Sequence, residues 1–134
     1  MIGDTDFFID LMHAGRAHHG DAVRKATELE GQGVRIAMTA ITRFELATGI
    51  EQFFRPVEER EKVGRLVRAY PTYVLDGPAA DHAGAVYGSL RARGTAIGAA
   101  DALIAAIALE NREPLLTRNH KDFSRVESLS IVTY

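Results

Sequence analysis

Four acidic residues in this chain, Asp4, Glu45, Asp101 and Asp122, stand beside apolar segments. Asp4 precedes Phe7-Phe8-Ile9, and Asp101 interrupts an alanine- and isoleucine-rich run from Ile97 to Leu109. A carboxylate drawn into apolar surroundings needs a metal, a proton or a cation to offset its desolvation. Taken singly, each has an ordinary reading. Asp4 and Asp101 could cap or open helices, Glu45 could be a half-exposed helix residue, and Asp122 could be a surface charge. Taken together, four acids repel one another, and two divalent cations would balance them. Oxygen ligands without sulfur or clustered imidazole favour Mg2+ or Mn2+. Such a site suits phosphodiester hydrolysis, with one ion activating the attacking water and the other stabilising the leaving oxygen.

Other chemistry is poorly supplied. The chain has no cysteine, which excludes disulfides, zinc ribbons and thiol nucleophiles. His13, His18, His19, His82 and His120 show no metal-ligand spacing and read as solvated side chains. Gly94 and Gly98 lack the Lys-Ser/Thr of a phosphate loop. The formal charge of −2 argues against a protein that grips nucleic acid through a strongly basic surface. It leaves room for a nuclease whose acidic site lowers the net charge. Arg118, Lys121 and Arg125, beside Asp122, are candidates to touch RNA phosphate, or else ordinary surface charges.

The elements that would position these acids alternate along the chain. Strands are expected at Met1 to Asp4, Val34 to Thr39, Thr72 to Asp76, Leu115 to Thr117 and Leu129 to Thr133. Helices are expected from Phe7 to Ala14, over 20–32 with Gly31 and Gly33 as stops, and from Ile41 to Ile50 after a Thr39 or Thr42 cap. Further helices follow from Val57 to Tyr70, over 79–93 and over 98–112, with a short turn or helix from Asn119 to Phe123. The charge run over 55–68 reads as a solvated helix face.

Alternating strands and helices predict an α/β fold with a mainly parallel sheet of about five strands covered on both faces. At 134 residues one domain is expected, spanning the whole chain. In such sheets ligands bind beyond the C-terminal ends of the strands. Asp4 ends the first strand, and Thr117, Asn119 and Asp122 follow the fourth, so both places face one rim. At roughly 100° per residue, Asp101 shares a helix face with Ile97, Ile104 and Ala108. No run approaches the length of a membrane span and no secretion signal opens the chain, so a soluble cytoplasmic protein is expected.

Four segments in this order resemble the PIN-domain family, and within it the VapC-type ribonuclease toxins of toxin-antitoxin pairs. They are Asp4-Thr5-Asp6-Phe7-Phe8-Ile9-Asp10, Thr42-Arg43-Phe44-Glu45-Leu46 with Gly49, Asp101-Ala-Leu-Ile-Ala-Ala, and Leu116-Thr117-Arg118-Asn119 leading to Asp122-Phe123. The resemblance implies a three-layer α/β/α sandwich and a Mg2+-dependent endoribonuclease, with Mn2+ able to substitute. It implies that Asp4 and Asp101 are the principal metal ligands, that Glu45 completes the acidic site, and that the fourth position falls on Asp122 or Asn119. The charge is assigned to Asp122, with a supporting hydrogen bond from Asn119 or Thr117. Thr5, Asp6 and Arg118 are further supporting or phosphate-binding candidates.

The chain departs from the family at Gly3, where a bulky apolar residue is usual, and at Asp6, where Ser or Asn is usual. Asp6 either adds a carboxylate near the metal or caps the first helix. The resemblance also implies a homodimer and an antitoxin whose C-terminal segment lies in the site groove. The Phe53-Phe54 pair could serve such a surface, or one ring could enter the core.

Two other readings compete. Asp4-Thr5-Asp6 is similar to the opening of haloacid-dehalogenase-type phosphotransferases, but Phe8 breaks that motif and its later acids are missing. A catalytically silent PIN-like module that binds RNA or protein is the stronger alternative.

Overall fold

The first strand is cut short by its own chemistry. β1 (Ile2–Gly3) ends because Asp4, in extended backbone, turns its carboxylate onto the Phe7 N–H at 2.7 Å and caps α1 (Thr5–Met12). All residues, 1–134, are described in this computed structural model. α2 (His19–Gly31) closes with Val34 N–H bonding Leu29 O at 2.9 Å and Gly33 N–H bonding Glu30 O at 3.0 Å. That pairing needs a left-handed residue, and Gly33 supplies it at φ 75°.

β2 (Met38–Thr39) passes directly into α3 (Ala40–Gln52), with the Thr39 hydroxyl accepting from Thr42 N at 3.0 Å. Pro56 opens α4 (Pro56–Ala69), where its missing N–H costs nothing. After β3 (Thr72–Tyr73), Asp76 caps α5 (Gly77–Ala92). Then come α6 (Ala99–Glu110), β4 (Leu115–Leu116), α7 (His120–Phe123) and β5 (Ile131–Val132).

Every strand pair is parallel, as expected. The ladder is not continuous, however: β1-β4-β5 form one sheet and β2-β3 another. A bridge between Ile2 and Ala37 joins them, with Gly3 N–H to Ala37 O and Ala37 N–H to Met1 O, each at 2.9 Å. The spatial order is therefore β3-β2-β1-β4-β5, and the chain reverses direction across the sheet between β1 and β4. This is the crevice where open α/β sheets bind ligands.

The strands are shorter than their sequence patterns imply. Val34 to Thr39 pairs only at Met38–Thr39 plus the Ala37 bridge, because residues 32–34 still complete the end of α2. Thr72 to Asp76 contracts to Thr72–Tyr73, because Asp76 is spent on capping α5.

Two separate cores flank the sheet, giving the α/β/α layering. One packs α5, α6 and α7 through Ala79, Leu90, Ile104, Ile107 and Phe123 against Ile2 and Leu115. The other packs α1 to α4 through Phe7, Phe8, Leu29, Leu46, Val63 and Leu66 against Met38 and Leu116. Leu115 and Leu116 face opposite layers, as the alternation of a strand requires. Gly3 explains its departure from the family pattern. A Cβ there would lie 2.7 Å from Phe7 Cδ1 and 2.9 Å from Phe8 Cε2, so the two buried rings occupy the space. No helix is long and apolar enough to cross a membrane.

Candidate functional site

Each sequence-predicted acid lies at the C-terminal edge of the sheet, for a local reason. Asp4 follows β1, Thr117 follows β4, and Asp122 lies on α7 just beyond. Glu45 is on α3, which springs directly from β2. Asp101 lies in the first turn of α6, a helix that begins on this edge because it leads back to β4.

Asp4 is the most buried, at 4 % exposure. Its Oδ1 accepts from Phe7 N and its Oδ2 from the Thr117 hydroxyl. The same Thr117 oxygen accepts the Asn119 N–H at 2.9 Å, so one fully buried threonine ties the end of β1 to the loop after β4. Burial pushes the Asp4 carboxyl up to about 7, overriding those hydrogen bonds, and nearby Asp6 and Asp101 add to the push.

Asp101 is half-buried, on the stripe shared with Ile104 and Ala108, and no hydrogen bond offsets its burial. Its carboxyl rises to about 6, first through burial and then through the charges of Glu45, Asp122 and Asp6. Asp101 thus feels Glu45 and Asp122, and its own charge acts in turn on Asp4. Glu45 accepts from the Thr5 hydroxyl, which also lies 3.4 Å from the Thr42 hydroxyl. Asn119 caps α7 through Asp122 N at 3.3 Å and donates to Asp122 Oδ2 at 3.2 Å, so the two candidates for the fourth position are joined.

The acids converge electrostatically without closing into a cage: no three His, Asp or Glu side chains are close enough together to hold a metal. The donor chemistry still suits a hard divalent cation. All the ligating atoms on offer are oxygens, and two of the carboxyls have no counter-charge to offset their burial.

The predicted cations fare differently. The Arg118 guanidinium turns to Asp10, with Nη2 at 2.8 Å and Nε at 2.9 Å from Oδ2, and stacks near Tyr134. Arg125 pairs with Asp122 at 3.2 Å and bonds Ala96 O at 3.0 Å. Lys121 is exposed on α7. Asp6 is exposed and lies 3.8 Å from Arg16; the capping role its position allowed belongs to Asp4.

Sequence reasoning missed two buried acids. Asp10, fully buried, is held by Arg16, Arg118 and the Tyr134 hydroxyl; burial pushes its carboxyl up, but these donors outweigh it and hold it below the ordinary range. Glu59, 3 % exposed, lies in the charge run read as a solvated face. A signal was present, since Glu59, Val63 and Leu66 follow helical spacing and all three are buried. His13 also departs from the solvated reading, bonding Glu59 at 2.8 Å. Neither Phe53 nor Phe54 enters the core; Phe54 is 94 % exposed.

No curated protein matches the sequence closely enough to count as a relative. Solved structures do share the fold. A chain of the VapBC2 complex from Rickettsia felis, bound to a promoter DNA fragment, superposes with a TM-score of 0.86 at 22 % identity, covering 99 % of this chain and 97 % of that one. A chain of the DNA-bound VapBC complex from Salmonella typhimurium gives 0.84 at 25 % identity, covering 98 % and 96 %. The sarcin-ricin-loop-cleaving toxin VapC20 of Mycobacterium tuberculosis gives 0.71 at 18 % identity, covering 92 % of each. The family model of the PIN domain matches residues 1–129, nearly the full length over which strand ends and helix starts deliver the acids. The chain belongs to the PIN domain family.

Proposed function

We propose that this chain is a metal-dependent endoribonuclease, the toxin of a toxin-antitoxin pair, acting in the cytoplasm as a single-domain subunit of a homodimer. The observation that carries the reading is the acidic rim at the reversal point of the sheet, where burial raises the Asp4 and Asp101 carboxyls with no cation beside them. Asp4, Asp101, Glu45 and Asp122 would hold Mg2+, or Mn2+ in its place. When bound, the ion lowers the pKa of the attacking water and stabilises charge on the leaving oxygen.

The chain's own residues position that chemistry. Thr117 fixes the Asp4 carboxylate, Thr5 holds Glu45, and Asn119 orients Asp122. Lys121, exposed on α7, would meet RNA phosphate in this reading. The toxin complexes from R. felis and S. typhimurium support an antitoxin partner, and the exposed Phe44, Phe54 and Val57 provide apolar surface for protein contacts.

The absence of a convergent trio of ligands favours a second reading, a catalytically silent module. Purified chain given single-stranded RNA with Mg2+ or Mn2+ separates the two. Cleavage should require the ion, stop with chelator, and fall at least about a hundredfold in Asp4→Asn and Asp101→Asn. Cleavage that survives chelator or both substitutions would overturn the metal mechanism, and RNA binding without cleavage would establish the silent module.

A further inference from the structure

The last ladder bond of β4 runs from Thr117 N–H to Val132 O at 2.9 Å. Beyond it the chain leaves the sheet, and side chains take over its placement. Thr117 bonds Asp4 and accepts from Asn119 N–H, while Asn119 holds Asp122. Arg118, between them, turns instead into the layer of α1 to α4. Its Nη2 and Nε reach Asp10 Oδ2 at 2.8 and 2.9 Å. Nε also lies 3.2 Å from the Tyr134 hydroxyl, which donates to the same Oδ2 at 2.9 Å. Asp10 is fully buried, and the Tyr134 ring packs edge-on against the buried Phe7 ring at 5.2 Å between centres. Hydrogen bonds to charged groups in such enclosure are strong and directional. The Arg118 fork is therefore spent inside the fold and is not offered to phosphate.

Asp10 and Asp4 serve the same helix: Asp4 caps α1 and Asp10 lies in its body. The contacts consequently close a ring, from Asp4 along α1 to Asp10, across to Arg118, back one residue to Thr117, and from its hydroxyl to Asp4 again. A closed ring leaves the Asp4 carboxylate and the loop after β4 little freedom to move apart. We propose that Arg118 is a positioning residue for the acidic rim: clamped by Asp10 and Tyr134, it sets the loop from which Thr117 orients Asp4 and Asn119 orients Asp122. The clamp acts on the rim from behind, without touching a carboxylate of the site itself. It rests on the reading that these acids hold a divalent ion, and partners that orient metal ligands weigh heavily on metal affinity.

The test uses the full chain without RNA and two measurements on the folded state: Mn2+ affinity by calorimetric titration, and hydrogen exchange of the Asn119 amide by NMR in metal-free buffer. Arg118→Met keeps the stem of the side chain and removes the fork, while Arg16 and Tyr134 still serve Asp10. It should bind Mn2+ about tenfold or more weaker than wild type, and its Asn119 amide should exchange about tenfold faster. Tyr134→Phe, which removes one hydroxyl, should move both measurements the same way by a few-fold. Leu29→Ala, in the α2 core, lowers stability and should leave both at wild-type values. A folded Arg118→Met chain with wild-type Mn2+ affinity would overturn the proposal. Equal losses in Leu29→Ala would do the same, because they would reduce the clamp to general stability. If Arg118→Met does not fold, Tyr134→Phe decides by the same two measurements. A wild type that takes up no Mn2+ refutes the metal-dependent nuclease, and the Asn119 exchange then decides the clamp by itself.

Discussion

Asp4 shows how one residue serves two demands. As the cap of α1 it must present an oxygen to a backbone N–H, and as the end of β1 it lies where the sheet edge is nearly closed to water. Its carboxyl, raised from 3.8 to about 7, keeps its proton longer in the folded chain than in the unfolded one. The folded state therefore binds more protons across that window, and this residue's contribution to stability falls as the pH rises from about 4 to 7. Asp4→Asn should remove the fall. In metal-free buffer the variant should match wild type near pH 5 and exceed it by about 2 kcal/mol near pH 8, read from urea denaturation at both values. A wild type that holds its lead at pH 8 would show that the capping and threonine contacts outweigh the buried charge. The position of Asp4 was legible in the sequence because an acid directly after an apolar strand has few places to go. Asp10 was not legible, because its partners Arg118 and Tyr134 are remote in sequence and nothing local announces them.

At the scale of elements, caps and stops dominated by local contacts followed the sequence closely. Thr39 and Gly33 act where their chemistry placed them, and every predicted helix formed. Strand lengths were less legible, because a strand ends where its neighbour stops pairing or where a cap claims its last residue, as Asp76 does for α5. The burial of Glu59 escaped for the opposite reason: its abundant charged neighbours masked a helical stripe that Val63 and Leu66 reveal. Two substitutions probe these local rules. Gly3→Ala should destabilise the chain by about 1–3 kcal/mol, since fully buried Phe7 and Phe8 have little room to yield, and thermal melting would measure it. Arg112 closes α6 in the left-handed region at φ 54°, with Glu113 N–H bonded to Ala108 O at 2.9 Å, the same stop that Gly33 provides for α2. Arg112→Gly should accordingly raise stability by about 1 kcal/mol, and a lower denaturation midpoint would contradict this account.

At the scale of the whole molecule, Asp10 gathers distant parts of the chain. From α1 it holds Arg16, Arg118 beyond β4 and Tyr134 beyond β5. Asp10→Ala would leave Arg118 half-enclosed without its carboxylate, and should cost about 3–5 kcal/mol in equilibrium unfolding; a loss under 1 kcal/mol would mean that water replaces the network freely. The sheet adds a different consequence. Its two ladders meet at one bridge, Ile2 to Ala37, and that seam also divides the acids: Asp4 and Asp122 belong to the β1-β4 side, while Glu45 is carried by α3 from the β2 side. The Thr5–Glu45 hydrogen bond crosses the same boundary. The gap between Glu45 and the other carboxylates is therefore an adjustable dimension of the fold. A slip of one half-sheet past the other would change the spacing of the acids, and the core that seats Met38 and Leu116 under the same helices is what resists it.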